Sequence, residues 1–201
     1  MKTFERNTEA EKSAFVTIPK NTTLPCGIVS VQTFVNAVKQ GDNKGREFDK
    51  YKLLLRPLQG EFKGKLTSVS VSCQCERRDG VDGVAIDNWG NSKNYIKLMR
   101  LMGHEFDDEA IPLPESKTEL EEHGATFEGK VLNVTFGTFT FKSDKEDGSK
   151  ITVNTCKELE DLNDDQKKAL ETDLAEWAAE QAAKSGGGAL DLGKEYDGSQ
   201  F

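Results

Sequence analysis

Nine cations crowd the stretch from residue 44 to residue 78: Lys44, Arg46, Lys50, Lys52, Arg56, Lys63, Lys65, Arg77 and Arg78. Guanidinium and ammonium groups in such a run can hold the phosphates of a flexible polyanion, and they need aromatic faces nearby if bases are to be held too. Each stacked base contributes about 1–3 kcal/mol. Phe62, in a turn, and Trp89, in a Gly- and Asp-rich loop, are the candidate stacking rings. Tyr51 and Tyr95 are rings of the right kind, but each shares a stripe with apolar neighbours and is expected in a core. Phe34, Phe136, Phe139 and Phe141 are expected to fill or flank the same core.

Charge is unevenly spread. Residues 1–100 carry +6, residues 101–155 carry −7 and residues 156–201 carry −7, for a net −8. A basic first half with an acidic remainder fits an anionic ligand held by the first half. Catalytic grammar is missing: there is no phosphate-binding loop, no G-x-S-x-G, and no second histidine at zincin spacing after His104-Glu105. Asp79, Asp82 and Asp87 do not have the spacing of a calcium loop. No enzyme activity and no cofactor are therefore expected. Cys26, Cys73, Cys75 and Cys156 lack the paired knuckles of structural zinc and are read as reduced thiols, so no metal is expected either.

These residues must be placed by strands. Gly27 to Val38 is β-branched and alternating, and Gln40 to Gly45 reads as a hairpin loop. Phe48 to Pro57 puts Tyr51, Leu53 and Leu55 on one face, with Lys50, Lys52, Leu54 and Arg56 on the other. A turn at Gly60–Gly64 leads to Lys65–Cys75, where Val69, Val71 and Cys73 oppose Ser68, Ser70, Ser72 and Gln74. Residues 77–90 read as a loop. A short helix follows to Met102, ended by Gly103, and a second runs from Ser116 to Glu122, stopped at Gly124. Strands Phe127–Phe141 and Lys150–Cys156 complete the body. Phe15 to Ile18 is a candidate short edge strand.

That order, β-β-β-α-β-β, predicts a mainly β fold: a five-stranded antiparallel barrel of the OB-fold kind, with a helix between strands three and four. In such a barrel strands two and three present the ligand-facing wall. The expected divisions are an N-terminal arm (1–22), the barrel domain (23–159), an amphipathic C-terminal helix (160–185) and a tail (186–201). The helix, running Asp164 to Lys184, carries Leu170, Leu174, Trp177 and Gln181 on one stripe, suited to packing on the barrel or to forming a homo-oligomer.

The sequence resembles the single-stranded-DNA-binding proteins of tailed bacteriophages over about Thr23 to Leu159. The likeness lies in Leu24-Pro25-Cys26-Gly27 at the entry to strand one and in Gly60-Glu61-Phe62-Lys63-Gly64-Lys65 at the turn. Lys-Leu-Met and Leu-Met-Gly in the helix and Phe127-Glu128-Gly129-Lys130-Val131-Leu132-Asn133-Val134 complete it. The resemblance implies single-stranded DNA as ligand, a part in replication, recombination or repair, and the cytoplasm of a bacterial host. The alternative is a phage protein-interaction module, a virion component or a defence inhibitor, without nucleic acid.

Gly186-Gly187-Gly188 tethers the tail and gives it freedom to search. Asp191, Glu195, Tyr196, Asp197 and the terminal Phe201 would then bind replication or recombination proteins, or compete with nucleic acid for the chain's own basic wall. Family tails are often more acidic; here Lys194 sits among the carboxylates. No run approaches a membrane span, so a soluble, intracellular protein is expected.

Overall fold

The computed structural model describes residues 15–37, 44–78, 81–85, 93–101, 103–105, 113–142 and 149–186, side chains of 74–85 and 185–186 excepted. Trp89, Asp191, Glu195, Tyr196, Asp197 and Phe201 lie outside the described residues. So do the side chains of Arg77 and Arg78.

Six strands form one antiparallel sheet: β1 (Thr23–Ala37), β2 (Glu47–Pro57), β3 (Thr67–Arg78), β4 (Val81–Ala85), β5 (Val131–Lys142) and β6 (Lys150–Glu160). Their order is β4-β3-β2-β1-β5-β6. Two expectations need correction. The segment read as a loop after Arg78 supplies a sixth strand: a reversal pairs Arg78 with Val81 and Cys75 with Ala85. Asp82 and Gly83, which favour turns, hid that five-residue strand. Nor is the sheet closed, because no ladder joins β3 to β6 among the described residues.

Between β4 and β5 lie the two helices expected there, α1 (Lys93–Leu101) and α2 (Lys117–Phe127), the second running past its expected end at Glu122. Ser116 caps α2: its hydroxyl accepts from Glu119 N at 3.1 Å, and the Glu119 carboxylate accepts from Glu115 N at 2.7 Å. Gly124 was expected to stop this helix, yet it lies inside it. A Cβ there would stand 3.2 Å from Val31 Cγ1 and 3.4 Å from Tyr51 Cε1. The missing side chain is what lets α2 lie down on β1 and β2. Tertiary contact outweighs the roughly 1 kcal/mol helix penalty of glycine.

Beneath the helices the inner sheet face is apolar. Tyr51, Leu53 and Leu55 of β2, Val69, Val71 and Cys73 of β3, and Leu132, Val134 and Phe136 of β5 are all buried. From α1, Tyr95, Leu98 and Met99 join them, with Leu120 and Phe127 from α2. Tyr51 stacks on Tyr95 at 6.3 Å and meets Phe127 edge-on at 5.1 Å. Both tyrosines are therefore core residues, as their stripes predict.

Near one end of the seam between β3 and β6, residues 15–18 form a strap. Phe15 makes a parallel bridge to Leu66, and Val16 N donates to Leu66 O at 2.8 Å. On the other side Asn154 of β6 takes both main-chain groups of the buried Ile18: Ile18 N donates to its Oδ1 at 2.9 Å, and its Nδ2 donates to Ile18 O at 2.7 Å. The same Oδ1 accepts from Thr67 Oγ1 at 3.0 Å. One asparagine thus stands in for a piece of strand. Residues 15–22 of the expected arm are bonded to the sheet.

The described residues from Asn163 onward belong to a second compact unit. In place of one continuous helix it holds α3 (Asp164–Ala169) and α4 (Glu171–Gly186), interrupted at Leu170 with φ −105 and ψ 11. Asn163 and Gln166 make a reciprocal capping box at 2.8 and 3.0 Å, which satisfies two otherwise orphaned backbone donors. Within α4, Lys184 Nζ stands 6.0 Å from the centre of the Trp177 ring.

Candidate nucleic-acid interface

On the sheet face opposite the core, cross-strand pairing builds two polar rows. Phe34 of β1 pairs with Lys50 of β2, which pairs with Ser72 of β3. One step along, Gln32 pairs with Lys52, and Lys52 with Ser70. Successive rows are about 7 Å apart along the strands. The period-two alternation of β2 and β3 fixes this arrangement, since burying Tyr51, Leu53, Val69 and Val71 must turn Lys50, Lys52, Ser70 and Ser72 the other way.

Burial lowers the amine pKa of Lys50 from the ordinary lysine value, and the Cys73 thiol opposes that shift. Lys52 is lowered as well, by burial. Both residues are half-buried, as expected of a long cationic chain whose stem covers a sheet surface. An approaching anion would find these charges incompletely hydrated and so more strongly attracting than fully solvated ones.

Other cations sort by position. Arg46 lies at the entrance to β2 with its guanidinium 5.4 Å from the centre of the Phe48 ring. Phe48 is buried. Lys44 is exposed just before it, and Arg56 continues the lysine side of β2, half-buried beside Gly27 of β1. Lys63 and Lys65 are exposed on the reversal after β2, where Gly60 and Gly64 have φ of 77 and 78, next to the Arg56 end of the strand: Gly64 N donates to Pro57 O at 3.1 Å. Of the nine predicted cations, Arg46, Lys50, Lys52 and Arg56 thus lie along β2, Lys44 just ahead of it and Lys63 and Lys65 on the turn that follows, while the side chains of Arg77 and Arg78 lie outside the described residues.

Phe62 is a correction. Instead of standing free as a stacking platform it is half-buried and packs against the core, because the tight reversal Pro57–Lys65 folds it inward. The ring that lies beside Lys50 is Phe34, which was expected to fill or flank the core. A bulge in β1 between Ile28 and Ser30 explains the miss. An extra residue shifts the alternation, so Ile28 is buried while Val31 and Thr33 take over the inner face and Phe34 emerges beside Lys50. Only pairing partners reveal such a shift.

Phe139 and Phe141 were also expected to fill or flank the barrel. Instead they project from the distal part of β5, stacked at 6.1 Å, with Phe139 59% exposed. Val153 and Ile151 are their cross-strand partners on β6, so the ribbon beyond the main sheet carries an apolar outer face.

Among the described thiols, Cys26 and Cys73 are buried and Cys156 is partly so. Burial raises the Cys26 thiol, and burial with the Glu158 charge pushes Cys156 up to about 12. Cys26 and Cys156 are unpaired by disulfide. His104 and His123 lie 6.1 Å apart, with Glu119 3.7 Å from His123. Among the described residues no three His, Cys, Asp or Glu side chains converge as a metal set, and no helix is long and apolar enough to cross a membrane. Compared with protein-family models, curated proteins and solved structures, the chain matches none.

Proposed function

We propose that this chain binds single-stranded DNA without sequence choice, along the outer wall of β1, β2 and β3. The observation that carries the reading is the pair of rows Phe34–Lys50–Ser72 and Gln32–Lys52–Ser70. Each row sets a ring or amide, a half-buried lysine and a hydroxyl side by side. Cations there would track the backbone, Phe34 would take a base, and the small serines leave room for any base to lie flat. Strand order supports an OB-like reading of the sheet. A long β1 is shared by β2 and β5, and β3 comes to face β6 across the seam that the strap occupies. In this view the barrel is bridged by side chains and the strap in place of a final ladder.

The wider role, a phage protein acting on replication, recombination or repair intermediates in a bacterial host's cytoplasm, follows the sequence resemblance. So does recruitment of partner proteins by the acidic tail. Neither catalysis nor a cofactor enters this reading. The test is a fluorescence titration with oligo-dT and with duplex at two salt concentrations. Binding that favours the single strand and weakens steeply with salt is expected; equal retention of single strand, duplex and an uncharged control would defeat the reading. Removing residues 187–201 is expected to preserve or raise DNA affinity while partner contacts are lost.

A second reading, a protein-interaction module, is favoured by one feature: the apolar ribbon face of Phe139, Phe141, Ile151 and Val153. Substituting Phe139 and Phe141 by Ser separates the two. Loss of protein partners with DNA affinity intact supports the module.

A further inference from the structure

We propose that the Phe15–Ile18 strap is an exchangeable strand, able to leave its own seam and dock in the seam of a second copy of this chain. The inference does not depend on the nucleic-acid reading. Three features of the seam point to it.

First, the acceptor reads main chain. Asn154 binds both the N–H and the C=O of Ile18, at 2.9 and 2.7 Å, and Leu66 O accepts from Val16 N at 2.8 Å. Apart from the buried Ile18 side chain, the seam asks only for an extended backbone, and a strap from another copy meets that demand equally well. Second, the strap is the element that spans β3 and β6 at this point, so whichever copy supplies it completes the sheet. Third, the connection to β1 is short and bent. Thr22 N donates to Pro19 O at 3.3 Å, and Asn21 has φ 65, the one positive value at a non-glycine among the described residues. The left-handed conformation, a modest cost for asparagine, would be relieved in an extended form in which the strap points away, while the bonds of Asn21 N and Thr22 O to Phe136 keep the hinge anchored on β5. Short hinges of this kind are where strand exchange begins.

In the closed chain the strap has the advantage of tethering, so exchange is expected at high protein concentration or on refolding together, and it yields either reciprocal dimers or head-to-tail chains. The parallel bridge between Phe15 and Leu66 supplies the readout. Full-length Phe15→Cys and Leu66→Cys variants are mixed, unfolded in denaturant and reducing agent, refolded together over a concentration series and then oxidised. Peptide mapping by mass spectrometry identifies a 15–66 disulfide.

A dimer linked between the two variants, its share rising with concentration, is the expected result. In the Phe15→Cys/Leu66→Cys double variant refolded at low concentration, the same link should close within one chain. An Asn21→Gly hinge, which removes the conformational cost, should cut the exchanged share at least twofold. If the double variant closes within its chain while the mixed single variants stay monomeric throughout, exchange does not occur and the proposal falls. Failure of the double variant to close overturns the seam placement itself, and the proposal with it.

Discussion

Replacing Lys50 and Lys52 together by Met keeps the buried stems and removes two charges from the wall. If each ammonium meets one phosphate, the dependence of log K on log[salt] becomes shallower by about 0.7 per contact on a single strand, roughly 1.4 in all. Referred to a common affinity at 1 M salt, that corresponds to about a 14-fold weakening at 0.15 M, near 1.6 kcal/mol, and roughly a 65-fold weakening at 0.05 M. The two proteins should converge as salt approaches 1 M. Titrating labelled oligo-dT at five salt concentrations measures both slope and intercept. Because both lysines are half-buried on a strand whose other face is core, thermal stability should be unchanged or slightly higher in the variant. A parallel downward shift with an unaltered slope would mean that the lysines shape the wall without touching phosphate, and the argument for a phosphate track would be refuted.

The same amines give a pH signature. Their protonation is already weakened by burial, and an adjacent phosphate favours the charged form. Affinity should therefore be full below the lowered pKa and fall as pH rises through it, starting before the usual lysine value of 10.5; a flat profile to pH 10.5 contradicts this. Asn154→Ala leaves the main chain of Ile18 without its partners. The cost should be about 2–4 kcal/mol, seen as a Tm drop of roughly 4–16 °C. A change under about 2 °C would show that the strap adds little. At Gly124, Ala gains helix propensity but presses on Val31 at 3.2 Å, so the terms should nearly cancel. Leu has no room and should destabilise by about 1–3 kcal/mol in urea melts; equal stability of the two variants would disprove close packing of α2 on β1.

Local pattern by itself determined much of this protein. Alternation in β2 and β3 specifies which side chains line the core and which face away, because a strand has only two faces, and Tyr51, Lys50 and Lys52 fall where that rule puts them. Ser116 with Glu119 marks the start of α2 for a similarly local reason: a capping contact spans three residues. What tertiary structure alone decided lies at breaks in pattern and between distant segments. The β1 bulge reverses the phase and delivers Phe34 to the wall, and contact with β1 lets Gly124 sit inside a helix. Asn154 ties residue 18 to residue 154, a pairing that no periodicity announces. The open seam depends on where strands end in space, and a chain read one neighbour at a time holds no record of that.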